Sequence, residues 1–193
     1  AKAGYNKIDA ALTRRCERNE ISENEKNSAL SIISIGDSYQ DFAKCDLVIE
    51  AATEDEQIKK EILKAVCPFL HPDTLIASNT SSISITRLGA QTDRPEKFVG
   101  MHFMNPVPRM ELVELIRGIA TDEKTFSAVR SLVVKLGKQP VNAEDFPAFI
   151  VNRILLPMVN EAIYTLMEGV ATKESIDSIM KLGMSHPMGP LTL

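Results

Sequence analysis

The chain has 193 residues, 44% hydrophobic and 25% charged, with a net charge of −4. That length allows a sizeable core, as one large domain or two small ones. An acidic balance with no lysine/arginine stripe among aromatics argues against nucleic acid, and the apolar runs are too short to cross a bilayer.

In chain order, Ile8, Leu12 and neighbouring alanines recur at helical spacing over 4–18. Ser22 followed by Glu25 forms an S-x-x-E capping box, which predicts a second helix with a solvated charged face. The run "CDLVIEAA" reads as a strand covered on both faces. Over 54–66, Ile58, Ile62, Leu63 and Val66 predict an amphipathic helix that ends before Pro68. "TLIAS" is the next buried strand, with the polar turn "SNTSS" at its carboxyl end and a short helix over 84–88. "FVGMHF" and "ELVELI" are strands, 122–136 is a helix closed by Gly137, and "QPVNA" is a short last strand. This rhythm predicts an α/β fold with a Rossmann-type parallel sheet.

After Pro147 strands vanish. "AFIVNRILLPMVNEAIYTLMEG" predicts one long helix bent at Pro157, and "TKESIDSIMKLG" predicts another, capped by Thr172 and stopped by Gly183. The domain boundary is placed at 143/144, with a dinucleotide-binding part over 1–143 and the start of an all-α part over 144–193. None of the nine glycines stands in the G-x-G-x-x-G arrangement that a dinucleotide-binding half carries after its first strand. The sheet therefore reads as partial, and the chain as a piece of a longer protein cut at both ends.

If "FVGMHF" and "ELVELI" pair antiparallel about Pro108, His102 and Glu114 face each other. A carboxylate on one imidazole nitrogen fixes the tautomer and leaves the other nitrogen to exchange a proton with a substrate. The plainer alternative is a satisfied core histidine beside a surface charge. The hydroxyl-rich "ASNTSS" lies where ligands of parallel sheets sit, and its serines or asparagine could bond a carboxamide or a substrate oxygen; equally, they could cap the next helix. On their own, Glu54 reads as a carboxylate complementing a helix dipole and Lys59 as a solvated face residue. Asn152 and Arg153 interrupt an apolar helical stripe, so Asn152 bonds the neighbouring domain or points into a cleft. His71 reads as idle and His186 as part of a rigid turn. Cys16, Cys45 and Cys67 show no CxxC spacing, which suits a reducing, cytoplasmic setting and argues against zinc; no metal is expected.

Together, "DLVIEAATED", "ASNTSSISIT", "GMHFMNPVPRMELVELI", "FIVNRILLPMVNEA" and "HPMGPL" resemble the 3-hydroxyacyl-CoA dehydrogenase family, most closely its bacterial 3-hydroxybutyryl-CoA members, over nearly the whole chain. The resemblance implies NAD-dependent interconversion of a 3-hydroxyacyl-CoA and a 3-ketoacyl-CoA, with the acyl-CoA between the two domains. It implies His102 as general base, Glu114 as its orienting carboxylate, Ser81 on the reacting oxygen and near the nicotinamide, and Asn152 placing substrate and histidine. Glu54, Lys59 and Asn105 fall on positions that contact NAD in the family. It also implies a homodimer for the full-length protein; the short apolar runs leave no membrane partner expected. Ala148 stands where a glycine is usual in the family and Met104 where a second phenylalanine is usual. Without the glycine-rich loop, the expectation is that this stretch alone binds NAD poorly. The alternatives are the dehydrogenase portion of a multifunctional fatty-acid oxidation protein and a non-catalytic, crystallin-like relative.

Overall fold

The computed structural model describes residues 2–193. Two helices, α1 (Lys2–Glu17) and α2 (Glu23–Ser31), open the chain. The Ser22 hydroxyl accepts from the Glu25 N–H while the Glu25 carboxylate accepts from the Ser22 N–H, so the capping box forms as the spacing predicts. Five strands then build one sheet in the order β1 (Leu47–Glu50), β2 (Leu75–Ser78), β3 (Phe98–Phe103), β4 (Leu112–Arg117), β5 (Gln139–Glu144). All neighbours are parallel except β3 and β4, which run antiparallel. Helices α3 (Glu56–Val66) and α4 (Ile85–Gly89) follow β1 and β2, and α5 (Glu123–Lys135) joins β4 to β5. Helices α6 (Val151–Met167) and α7 (Lys173–Gly183) complete the chain. This is the Rossmann-like α/β sheet and helical C-terminal region expected.

The period of two along each strand sorts the core into two layers. On one face Val48, Ile76, Phe98 and Ile116 pack with Leu63 and Val66 of α3, Ile85 and Leu88 of α4, and Phe149. On the other, Ala77, Val99, Met101, Val113 and Leu115 pack with Phe126, Val129 and Val133 of α5. Gly100 is required by close approach: a Cβ there would lie 2.7 Å from the Ile116 Cβ and 2.9 Å from Ile85. Every second residue from Phe98 leads through Gly100 to His102, so the histidine extends the face that α3, α4 and Phe149 cover.

Three expectations change. β1 is not covered on both faces: Ile49 is 41% exposed while Val48 and Glu50 are buried. Its run of apolar residues looks the same at a sheet edge as in a sheet centre, and β1 pairs only with β2. The third helix starts at Glu56, behind an Asp55 cap that accepts from the Ile58 N–H. Its inward stripe is Lys59, Leu63 and Val66, while Ile58 turns outward. The long helix starts at Val151, because Ala148 and Phe149 take left-handed φ of 64° and 51°.

Left-handed backbone costs an alanine about 1–2 kcal/mol, which glycine avoids at the cost of a larger conformational entropy lost on folding. Ala148→Gly is therefore expected to stabilise the fold by about 0.5–1 kcal/mol, read as a higher urea midpoint at unchanged slope.

Candidate active site

The antiparallel pairing of β3 and β4 puts His102 directly opposite Glu114. Their side chains meet: the imidazole Nδ1 lies 2.7 Å from the Glu114 Oε2, with both residues buried. An ionised carboxylate can only accept, so Nδ1 carries the proton in this bond. The other carboxylate oxygen, Oε1, accepts from the backbone N–H groups of Ile150 and Val151 at 3.3 and 3.2 Å. Those are the first amides of α6, which has no side-chain cap of its own. Glu114 thus caps a helix from another part of the chain, at its positive end. The Phe149 ring lies 5.9 Å from the imidazole, tilted by 56°. Nε2 of His102 has no hydrogen-bond partner among the described residues. No buried side-chain nitrogen or oxygen is left unpaired there, so Nε2 reaches solvent.

Beside this pair, at the carboxyl ends of β1 and β2, the "SNTSS" turn is held by one carboxylate. Glu54 Oε1 accepts from the Thr80 hydroxyl (2.6 Å), the Ser81 N–H (2.8 Å) and both the N–H and the hydroxyl of Ser82 (3.1 Å each). Partial burial pushes the Glu54 carboxyl up, but these donors and the Lys59 charge outweigh it, leaving it below the ordinary carboxylate value. The Ser81 carbonyl accepts from the Asn152 side-chain amide at 3.2 Å. Ser81 is therefore fixed through its backbone on both sides, and its hydroxyl has no partner among the described residues. Asn79, the asparagine of that turn, accepts from the Phe103 N–H at 2.9 Å and ties the turn to the end of β3. The hydroxyls of the turn do not cap the next helix: that cap is Ser84, which accepts from the Arg87 N–H.

Lys59 is not on a solvated face. It is 1% exposed, and its ammonium bonds both Glu50 oxygens at 2.9 Å and lies 3.7 Å from Glu54. Glu50 also accepts from the Ser78 hydroxyl (2.6 Å) and the Ala52 N–H (2.7 Å). Sequence reading missed Glu50 because a carboxylate ending a strand looks like ordinary polar termination. Asn105 lies exposed on the loop after β3, with no side-chain bond among the described residues. His71 is a turn residue whose Nδ1 accepts from the Asp73 N–H. All three cysteines are free thiols.

A second feature is electrostatic. A cavity of about 480 Å³ is lined by Arg14 and Arg15 of α1, Arg18 and Glu20 just after it, and Pro108 and Arg109 of the loop joining β3 to β4. Arg15 and Arg18 share Glu20, at 3.1 and 4.0 Å, whereas Arg14 and Arg109 have no ion pair among the described residues. The fold gathers these arginines from two segments distant in sequence. Among the described residues, no helix is long and apolar enough to cross a membrane.

Comparison with known proteins shows the family. The NAD binding domain of 3-hydroxyacyl-CoA dehydrogenase matches residues 1–146, and the C-terminal domain of the same enzymes matches residues 149–193. The chain belongs to the 3-hydroxyacyl-CoA dehydrogenase family. A 3-hydroxybutyryl-CoA dehydrogenase of Bradyrhizobium diazoefficiens is 59% identical over 192 residues, covering 100% of this chain and 66% of that protein. The mitochondrial hydroxyacyl-coenzyme A dehydrogenase of Homo sapiens is 42% identical over 187 residues, 93% of this chain and 60% of that one. The crystal structure of (S)-3-hydroxybutyryl-CoA dehydrogenase from Ralstonia eutropha superposes with a TM-score of 0.96 at 49% identity, covering 98% of this chain and 67% of that one. The chain spans about two thirds of the length of the curated relatives it matches.

The buried ion network yields a direct test. Removing the ammonium while leaving Glu50 buried strands a charge in low dielectric, a loss of about 3–5 kcal/mol. Lys59→Met is expected to lose that much in urea unfolding, and adding Glu50→Gln to it is expected to restore part.

Proposed function

We propose that the protein interconverts a short-chain 3-hydroxyacyl-CoA, such as 3-hydroxybutyryl-CoA, and its 3-ketoacyl-CoA, with NAD as the hydride carrier. The observation that carries this reading is the 2.7 Å contact between His102 and Glu114 beside a serine hydroxyl left free. In oxidation the substrate's 3-hydroxyl proton passes to Nε2 of His102, the ring nitrogen that Glu114 does not use. Glu114 holds the tautomer through Nδ1 and balances the imidazolium that forms. The Ser81 hydroxyl bonds the reacting oxygen, and Asn152 holds the Ser81 backbone in place from the helical side.

The donor set fits a nicotinamide nucleotide. A hydroxyl-rich turn at the carboxyl ends of parallel strands suits a carboxamide and a ribose, and Glu54, with its side chain 41% exposed, can accept from a ribose hydroxyl. Lys59 is committed to Glu50 and Glu54, so it serves that site by setting where Glu54 points. Asn105 is free to contact the same ligand. Bound NAD would take up or return the hydride at C3, so the reaction needs no metal.

CoA carries its phosphates on the nucleotide end, and the arginine cavity on α1 and the β3–β4 loop supplies the matching charge. The dinucleotide-binding part is assigned to 1–143 and the start of the substrate part to 144–193, a division that falls within one residue of the end of the last strand at Glu144. Free thiols agree with a cytoplasmic setting. Exposed Ile154, Met167 and Leu182 on α6 and α7 support a homodimer contact in the whole protein.

These roles are tested by NADH consumption on acetoacetyl-CoA, with these residues in a chain of the relatives' full length. His102→Gln is expected to lower kcat by about 10³-fold and Glu114→Gln by about 10²-fold, both remaining folded by circular dichroism. Wild-type turnover in Glu114→Gln would remove the pair from the mechanism. For the arginines, Arg14→Ala with Arg109→Ala is expected to raise KM for acetoacetyl-CoA about tenfold at little-changed kcat. The same variant is expected to treat acetoacetyl-pantetheine, which lacks the nucleotide, as the parent does; equal losses on both thioesters would move the phosphates elsewhere.

A further inference from the structure

We propose that Phe149 is a positioning residue of the acid/base pair, its ring closing one side of the His102–Glu114 hydrogen bond to water and fixing the plane of the imidazole. This rests on the proposed role of that pair. Phe149 is 2% exposed and belongs to the core layer on the histidine's face of the sheet. Its ring centroid lies 5.9 Å from that of His102 at 56°, the tilted geometry in which an aromatic edge meets a π-face. The backbone there is unusual: Ala148 and Phe149 are consecutive non-glycine residues with φ of 64° and 51°. Such residues persist only where surrounding contacts over-determine them.

Two contacts at this turn do so. The turn swings the Phe149 ring onto the imidazole, and it aims the next two amides, Ile150 and Val151, at Oε1 of Glu114. One short segment therefore covers the histidine and clamps its carboxylate. Shielded from water, a charge-assisted hydrogen bond is stronger and more narrowly oriented, which keeps Nε2 aimed where a substrate proton would be exchanged. Loss of the ring would leave the turn able to cap Glu114 but would let water compete for Nδ1–H.

The test reads that proton directly, in a chain of the relatives' full length without cofactor. Proton NMR of the parent is expected to show a downfield, exchange-protected Nδ1–H resonance, assigned by its loss in His102→Gln. In Phe149→Ala its exchange with water is expected to be at least about tenfold faster, and in Phe149→Leu, which keeps apolar cover without a flat ring, about threefold faster. Val129→Ala removes core volume on the opposite sheet face and is expected to leave the exchange at the parental rate, separating shielding from general destabilisation. A parent lacking the protected resonance would overturn the proposal. So would parental exchange in Phe149→Ala or, should that variant not fold, in Phe149→Leu. Turnover of Glu114→Gln decides the role of the pair independently, so the two ideas can fail separately.

Discussion

One carboxylate joins the two halves of this structure. Glu114 spends one oxygen on His102 and the other on the first amides of α6. It can do so because the antiparallel β3–β4 pairing sets it opposite the histidine and because the chain after β5 returns across the same sheet face. The sheet thereby supplies the base, and the helical segment supplies the positive end that balances its partner. Neither half completes the site alone. A buried carboxylate without donors costs free energy, so the docking of α6 and the orientation of the imidazole stand or fall together.

The same economy governs the neighbouring turn. Glu54 gathers four donors from Thr80, Ser81 and Ser82, and Asn152 takes the Ser81 carbonyl, while the Ser81 hydroxyl has no partner among the described residues. Lys59 sits beneath with Glu50, a buried ion pair whose ammonium also faces Glu54. Such a pair is weak evidence for net stability, but it fixes where charges point. Asp145 works similarly at the end of β5. Its carboxylate takes the Ser84 hydroxyl and the Ile85 and Thr86 amides. Burial pushes its carboxyl up, and those donors more than offset the push, holding it below the ordinary value. Three acidic groups thus anchor three loop or helix ends around the site, each using backbone amides that would otherwise lack partners.

Much of the fold was legible in local pattern. The capping box at Ser22, the helix stop at Gly137 and the facing of His102 and Glu114 all follow from short-range rules of spacing, and each recurs in the structure. Lys59 was illegible for a definite reason. Periodicity marks a helix's inner stripe by apolar residues, and a lysine on that stripe looks like a break in the pattern unless the carboxylate awaiting it is known. That carboxylate, Glu50, lies nine positions earlier on another element. Ile49 and Ile58 misled in the opposite sense, since apolar residues in sequence do not reveal which face has a covering layer.

By itself, then, the sequence determined the elements, their order and the pair of residues that strand pairing would oppose, because caps, turns and the two-residue period of a strand act over a few neighbours. Tertiary structure alone decided which charges were to be buried, that Glu114 would cap a helix thirty-six residues away, that Phe149 would cover the imidazole, and that arginines of α1 would meet Arg109. Those outcomes depend on which surfaces meet when the sheet closes on its helices, and the solvation of a charge is set by that meeting rather than by its neighbours in the chain.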